Sequence, residues 1–270
     1  MNKITDPSYI LPNVHALALF DQFEGSANKP LLIDGIETQS HERGEYVVKL
    51  RAAERLSNEA FQRELIAAFI AMELDIPCVQ PAVITVSSDF VDTLKGDNSW
   101  QVANKSLGYN FGSKYMTGYN TIILGAPLSN EELKHAQNIF LFDLLIQNTD
   151  RTTTKPNMLS NSREIIILDH EIAFGFVLDI FPSIPGTFKE TDLLWIKLHC
   201  LLDKVKNTNV DLDEFCNKIG RLDESFWERV WQLTPTEWAS RDQFLKIRNF
   251  VLGILTQIDK FKVELKRIIS

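Results

Sequence analysis

The sequence is poor in cysteine, and its few cysteines form no pattern that would bind zinc or build a disulfide framework. Among the 270 residues there are three, Cys78, Cys200 and Cys216, which lie far apart and make no C-x-x-C pair. Such spacing argues against both kinds of site and is typical of proteins from reducing compartments. We therefore expect the three thiols to be buried apolar groups rather than nucleophiles.

Signals of membrane, secreted and nucleic-acid-binding proteins are also missing. No apolar run approaches the roughly 18 residues of a membrane-spanning helix, and the N-terminal residues lack the charged and apolar regions of a signal peptide. Lys and Arg total 28 against 36 Asp and Glu, so the net charge is −8. A strongly acidic chain is a poor candidate for a general nucleic-acid binder, which would need a basic surface. We expect a cytoplasmic protein that binds neither membrane nor nucleic acid.

The overall composition is that of a globular protein. Hydrophobic residues make up 44% and charged residues 24% of the chain, both ordinary values. The length allows one large domain or two lobes. Strand-like segments dominate up to about residue 120 and helical patterns dominate beyond it. The sequence therefore predicts an α+β protein with a small β-rich part followed by a larger α-helical part.

Apolar runs at residues 31–33 and 46–50 flank a polar turn and predict a β-hairpin. Apolar residues at three- and four-residue spacing predict a helix over residues 58–74. The remaining expectations for this half are strands at residues 79–86 and 99–107, then a hinge-like, glycine-containing segment at 109–125.

The second half shows helix signals. Ser129 and Glu132 fit a capping box, in which each side chain satisfies a free backbone N–H at the helix start. Thr234-Pro235 predicts another helix start, with proline at the first helical position. The remaining expectations are a buried strand at residues 165–168 and helices over about 190–205, 211–232 and 241–268.

The densest polar cluster, residues 148–157, lies between an apolar helix and that buried strand, which Asp169 follows directly. This layout is typical of a phosphotransfer site. Asp150 would orient a hydroxyl and accept its proton, while an Asn and a second Asp would hold Mg²⁺, a cation that prefers oxygen ligands. The alternative is structural, because clusters of Asp, Asn and Thr are also common in turns.

The first half offers an independent test of this interpretation. A kinase-type site needs a strand lysine for the nucleotide phosphates and a glutamate on the next helix to orient it. Lys49 is the lone charge in its strand, and Glu64 follows on the predicted helix. Read alone, Lys49 would be an outward-facing strand residue and Glu64 part of a solvated helix face. The order and spacing of all four roles favour the functional interpretation.

With these residues in place, the sequence resembles the HipA-like kinases, in particular the compact group that lacks an extra N-terminal domain. The resemblance is strongest at Asn148-Thr149-Asp150-Arg151, Pro156-Asn157-Met158-Leu159 and Ile167-Leu168-Asp169-His170. Weaker matches lie at residues 23–32, 46–49, 64–71, 74–77, 112–115 and 234–238. The resemblance implies a two-lobed protein-kinase-like fold that binds ATP and Mg²⁺, with a β-rich N-lobe, residues 1–118, and a helical C-lobe, residues 119–270.

The resemblance also implies roles for individual residues. Lys49 would contact the ATP phosphates and pair with Glu64, and Asp150 would be the catalytic base. Asn157 and Asp169 would hold Mg²⁺. The other nucleotide-binding residues would be Gly25 and Ser26 in a phosphate-covering loop, residues 25–30, then Lys114, Tyr115 and Met116 beside adenine. Ser26 would be a site of autophosphorylation.

Three departures from the kinase pattern leave alternatives open. Counting from Asp150, Lys155 stands where an asparagine is usual, and it is a candidate for contact with the γ-phosphate. Glu171 replaces the usual glycine after Asp169, where it either restricts the backbone or adds a carboxylate near the metals. The loop at 25–30 has a single glycine. We expect a kinase acting on protein Ser or Thr; the alternatives are a nucleotide-binding module without turnover and a small-molecule kinase.

Overall fold

The computed structural model describes residues 3–26, 28–54, 56–179 and 183–270. They form a mixed α+β structure in which a small β-barrel precedes a larger helical region. Two hydrophobic cores hold it together. One fills the barrel, and the other runs through the rest of the molecule.

Five strands close the barrel in the order β1-β2-β3-β5-β4. The strands are β1 (Asn13–Gln22), β2 (Leu31–Glu37), β3 (Arg43–Lys49), β4 (Pro81–Val86) and β5 (Gly108–Lys114). The only parallel pair among them is β1 with β4; the others are antiparallel. Alternate residues such as Leu31, Ile33 and Val48 point into the barrel and are fully buried.

Helix α1 (Asn58–Glu73) connects β3 to β4 and belongs to the larger core. The Ser57 side chain caps it by accepting from the backbone N–H of Ala60. Apolar residues cover most of its surface, as expected of a helix buried on nearly every side. Phe61 joins the barrel to the helical region, because its ring lies 6.1 Å from Phe111 of β5 and 5.4 Å from Trp238.

Two short helices, α2 (Ser88–Thr93) and α3 (Trp100–Asn104), separate β4 from β5. Beyond the barrel, β6 (Asn120–Thr121), β7 (Met158–Ser160) and β8 (Ile165–Ile167) form a three-stranded antiparallel sheet. Helix α4 (Asn130–Ile146) lies between β6 and β7 in sequence. Its capping box is present: Ser129 accepts from the N–H of Glu132, whose carboxylate accepts from the N–H of Ser129.

The rest of the described chain is helical. A 3₁₀ helix, Gly175–Leu178, precedes α5 (Asp192–Leu198), α6 (Leu202–Val205), α7 (Leu212–Ile219), α8 (Glu224–Leu233), α9 (Arg241–Leu255) and α10 (Ile258–Ile269). Among the described residues, no helix combines the length and the hydropathy needed to cross a bilayer.

Most elements with a clear hydrophobic period are where the sequence predicts them. The predicted α+β class, the β2–β3 hairpin, helix α1, strand β8 and the α4 capping box are all confirmed. The three cysteines are buried as expected, and burial raises the pKa of each thiol, to about 12, 12 and 11 in chain order. The division into lobes at residue 118 stays a prediction.

Two predictions for the first half are wrong. Residues 99–107 contain helix α3 instead of a strand, because Asp97 accepts hydrogen bonds from both the N–H and the hydroxyl of Ser99 and so turns the chain. The hinge-like segment begins as strand β5. Gly112 lies inside that strand, where a Cβ would come within 2.4 Å of Ile84 Cγ1; its role is close packing of the barrel.

The long helices predicted for the second half are each broken in two. Gly220 ends α7, and Asp223 caps α8 by accepting from the N–H of Phe226. The chain breaks at His199, whose ring turns inward, and again at Thr256 and Gln257. The prediction of a helix start at Thr234-Pro235 is also wrong. This segment is a turn, and α9 begins only at Arg241.

Candidate active site

Lys49 and Glu64 form an ion pair that joins the barrel to α1. Lys49 is the last residue of β3, and its Nζ lies 3.0 Å from Glu64 Oε2. The same carboxylate oxygen accepts from the backbone N–H of His170 at 2.9 Å. The structure thus brings together the strand lysine and the helix glutamate predicted from the sequence.

Two further carboxylates reach the same ammonium group from the segment after β8. Lys49 Nζ lies 2.6 Å from Asp169 Oδ1 and 3.1 Å from Glu171 Oε2. All four side chains are 15% exposed or less. Because water is largely excluded, these ion pairs interact more strongly than surface pairs do. We call Lys49, Glu64, Asp169 and Glu171 the Lys49 cluster.

The charged groups in this cluster shift one another's pKa values. Burial alone would lower the pKa of Lys49, but the three carboxylates outweigh it and hold that pKa well above its usual value. Burial would raise the pKa of Asp169, yet Lys49 and Lys155 lower it below the usual range. For Glu64, burial together with Asp169 and Glu171 outweighs Lys49 and raises the pKa.

The predicted catalytic loop lies beside this cluster and is linked to it by Lys155. The Lys155 ammonium contacts Asp150 Oδ2 and lies 3.1 Å from Asp169 Oδ2. Asn157 Nδ2 donates to the same Asp150 oxygen at 3.3 Å. Burial would lower the pKa of Lys155, but Asp169 and Asp150 raise it above its usual value. Lys155 therefore connects the predicted base to the predicted metal ligand.

Asn157 and Asp169 both have a left-handed backbone, with φ values of 47° and 63°. Among residues with a side chain, Asn and Asp tolerate this conformation best. Asn157 lies directly before β7, and Asp169 follows β8 after one residue. The N–H of Leu168 donates to the carbonyl of Asn157 at 3.2 Å. The paired strands therefore bring the two predicted metal ligands to the same end of the sheet.

A buried network that the sequence did not predict holds the catalytic loop. Asp143 of α4 accepts from Arg151, Asn148 Nδ2 and His199 Nε2, the last two at 2.8 and 2.9 Å. Burial would raise the pKa of Asp143, but Arg151 and His199 lower it below its usual range. The sequence held one signal of this network: Asp143 is a single acidic residue inside the apolar run of α4.

Arg151 extends this hydrogen-bond network to the segment after β8. Its guanidinium donates to the carbonyl of Asn157 and, at 3.1 Å, to His170 Nε2. His170 must therefore be neutral, with its proton on Nδ1. Burial and the adjacent Arg151 lower the pKa of His170 to about 3, which agrees with that state. The residues that directly follow Asp150 and Asp169 are thus fixed by buried contacts.

The loop between β1 and β2 contacts the cluster through Asn28. Asn28 Nδ2 donates to Glu171 Oε1 at 2.9 Å. Gly25 is exposed, and Ser26 is half-buried with its backbone bonded to Phe23 and Lys29. Ala27 of this loop lies outside the described residues. The loop predicted to cover the phosphates therefore lies over the site, and Asn28 is a contact that sequence reasoning missed.

The segment predicted to lie beside adenine borders a large cavity. Lys114, Tyr115 and Met116 line a space of about 840 Å³, together with Met72 and Cys78 on the side of α1. The residues of the Lys49 cluster do not line it. The N–H groups of Lys114 and Tyr115 donate to the carbonyls of Gln80 and Glu45.

The carboxylates at the site offer the oxygen ligands that Mg²⁺ prefers. One oxygen each from Glu64, Asp169 and Glu171 lie within 4.8 Å of one another. Counting Asp150, four carboxylates are in direct contact with two ammonium groups, those of Lys49 and Lys155. Among these six groups the carboxylates outnumber the ammonium groups by two. The guanidinium of Arg63, whose Nε donates to the carbonyl of Glu171, offsets part of this excess, and a divalent cation would offset more.

Comparison with known proteins gives one family. The model for HipA-like kinases matches residues 37–264, most of the chain. The matched region includes Lys49, Glu64, Asp150 and Asp169, whereas Gly25 and Ser26 precede it. The comparison with curated proteins found no match.

Proposed function

Because the chain belongs to the HipA-like kinase family, we propose that it transfers the γ-phosphoryl group of ATP to a protein serine or threonine with the help of Mg²⁺. One observation carries the proposal. Four separate segments bring a strand lysine, a helix glutamate, a loop aspartate and a post-strand aspartate into one linked cluster. Phosphoryl transfer needs such positioned charge far more than covalent chemistry.

Asp150 is the residue we assign to the proton. As the acceptor hydroxyl oxygen bonds to the γ-phosphorus, the bond from that phosphorus to the leaving ADP oxygen breaks, and Asp150 takes the hydroxyl proton. In the described residues its Oδ2 accepts from Lys155 and Asn157. We therefore assign Oδ1 to the acceptor hydroxyl. Lys155 is positioned to stabilise the charge of the transferring group.

The charge balance supports a requirement for Mg²⁺. Four carboxylates contact two ammonium groups, so a nucleotide polyphosphate entering alone would be repelled. Asp169 and Asn157 supply oxygen ligands of the type that Mg²⁺ takes. When bound there, Mg²⁺ would neutralise the charge of the phosphoryl groups. Lys49, oriented by Glu64, would hold the phosphates that the metal does not.

A specific observation favours a second candidate, nucleotide binding without turnover. Lys155 contacts both Asp150 and Asp169, and Glu171 adds a carboxylate to Lys49. These contacts compete with the binding of the acceptor hydroxyl by Asp150, of Mg²⁺ by Asp169 and of the phosphates by Lys49. Autophosphorylation at Ser26 and transfer to a small molecule are further forms of the main proposal, which differ only in the acceptor.

The test is transfer of label from γ-labelled ATP with Mg²⁺, followed by mass spectrometry of the protein and of added acceptors. Asp169→Ala should abolish transfer, whereas Asp92→Ala, which removes an exposed aspartate of α2, should leave it unchanged. A label that persists in Asp169→Ala would refute the assigned roles. Nucleotide binding without transfer under any acceptor condition would establish the second candidate instead.

A further inference from the structure

We infer that Glu171 holds the Lys49 ammonium in the place of a nucleotide phosphate, so that it acts as a self-blocking group which the nucleotide must displace. The inference rests on the proposed function, in which Lys49 contacts the phosphates of ATP. It concerns regulation of that site and identifies Glu171, together with Asn28, as residues that set the affinity for nucleotide.

The donor capacity of Lys49 is the first step of the argument. An ammonium group has three N–H donors. In the Lys49 cluster they meet three carboxylates, those of Glu64, Asp169 and Glu171, at 3.0, 2.6 and 3.1 Å. All three donors therefore have an acceptor inside the protein. A phosphate oxygen can bond to Lys49 only if one carboxylate leaves.

The second step is which carboxylate leaves. Glu64 is also held by the N–H of His170 at 2.9 Å, and Asp169 is also held by Lys155 at 3.1 Å. These two residues keep their places without Lys49. The remaining oxygen of Glu171 is held by Asn28, a neutral amide on the loop between β1 and β2. Glu171 is therefore the one carboxylate of the three whose other contact comes only from a neutral side chain on a loop, so its displacement is the least costly.

The third step is charge. The Glu171 carboxylate and a nucleotide phosphate are both anions and would compete for one ammonium group. Since the side chain of Glu171 is only 12% exposed, water screens their repulsion weakly. Asn28 donates to the other oxygen of Glu171, so the same displacement also affects the loop between β1 and β2. Displacement of Glu171 therefore also breaks the contact between this loop and the Lys49 cluster.

The experiment measures Mg²⁺-ATP affinity by calorimetry in the full chain. Glu171→Gln keeps the shape of the side chain and removes its charge. It should lower the dissociation constant about tenfold or more, since a hydrogen bond between charged groups contributes at least that factor. In turnover, KM for ATP should fall while kcat does not. Damage to the structure would not tighten binding.

Two further variants separate the explanations. Asn28→Ala leaves the cluster intact and frees only the outer oxygen of Glu171, so it should tighten binding less than Glu171→Gln. This variant also keeps the inference testable if Glu171→Gln fails to fold. Glu228→Gln removes an exposed charge of α8 and should leave the affinity unchanged, which controls for net charge.

The outcomes distinguish the inference from the function on which it rests. If wild type binds Mg²⁺-ATP and Glu171→Gln binds it equally well, Glu171 does not block the site and the inference is wrong. Weaker binding, with more Mg²⁺ needed, would show instead that Glu171 is a metal ligand. If neither wild type nor any variant binds nucleotide, the proposed function fails as well.

Discussion

Lys49 counters three carboxylates that lie within 4.8 Å of one another. Buried like charges at this separation repel strongly unless a cation lies among them. A carboxylate cluster of this kind adds little net stability, because the cost of taking its charges out of water offsets their attraction to Lys49. We therefore expect the cluster to be kept for phosphate and metal binding.

The first prediction is that Lys49→Met destabilises the protein in a pH-dependent way. Without the ammonium, Glu64 keeps the burial and the neighbouring Asp169 that raise its pKa and loses the cation that lowers it, so that pKa lies further above its unfolded value. The variant then binds protons on folding, so its stability deficit should grow as the pH rises from about 4 to neutral. Thermal melting of variant and wild type across this range measures the deficit.

The control for this prediction is Lys105→Met, which changes an exposed lysine and should melt like wild type at every pH. A deficit in Lys49→Met that is constant across the range would contradict the account. It would mean that Lys49 contributes packing and not charge compensation.

At the scale of secondary-structure elements, one buried aspartate ties the catalytic loop to the helices. Asp143 of α4 binds Arg151 in the loop and His199 after α5. His199 accepts from the N–H of Leu201 through Nδ1, so its Nε2–H donates to Asp143 and the ring is neutral. Arg151 is the positive partner of Asp143, and both side chains are fully buried.

The second prediction is that Asp143→Asn lowers the free energy of unfolding by about 3–5 kcal/mol, because it leaves Arg151 buried without a counter-charge. Urea denaturation at neutral pH measures this loss. Asp203→Asn, at an exposed position of α6, is the matched control and should cost little. If Asp143→Asn were as stable as wild type, the network would not hold the loop.

The elements that could be predicted from the sequence are those that local pattern determines. The β2–β3 hairpin and α1 follow from alternation and from three- and four-residue spacing, and the start of α4 follows from its capping box. Helix α3 could not be predicted in this way. Its aromatic and β-branched residues favour a strand, and the turn at Asp97 decides otherwise.

The candidate site also has a part that the sequence predicts and a part that it does not. The positions of Lys49, Glu64, Asp150 and Asp169 follow from the order of motifs along the chain. The contacts of Asn28 with Glu171 and of Asp143 with His199 join residues far apart in sequence. The first pair meets through the packing of the barrel against the rest of the molecule and the second through packing within the helical region, so no local pattern could reveal them.

At the scale of the whole molecule, the candidate site spans the two hydrophobic cores. Lys49 comes from the barrel, whereas Glu64 and Asp169 come from elements of the larger core. Asn28 adds a contact from the loop between β1 and β2. The geometry of the site therefore depends on how the barrel sits on the helical region. Nucleotide binding should stabilise both together.

The third prediction concerns acid unfolding of the whole chain. Burial and Arg151 lower the pKa of His170 to about 3, against about 6.5 for an unperturbed histidine. Between these values the unfolded chain binds a proton that the folded protein does not, so stability falls as the pH drops from about 6.5 toward 3. His170→Gln should weaken this dependence, measured by urea denaturation at a series of pH values.

The matched control is His15→Gln, which changes an exposed histidine of β1 and should leave the acid dependence as it is in wild type. An acid dependence in His170→Gln that equals that of wild type would contradict the assignment of a neutral, buried His170. The carboxylates would then account for the whole effect.

The most direct test of the central claim is the rate of phosphoryl transfer from Mg²⁺-ATP in Asp150→Asn, with nucleotide affinity measured on the same sample. The variant keeps the size of the side chain but cannot accept a proton. We predict a transfer rate about a thousandfold below wild type, with nucleotide affinity close to wild type. Transfer at the wild-type rate in Asp150→Asn would contradict the account, because the loop would then lack the base on which the proposed mechanism depends.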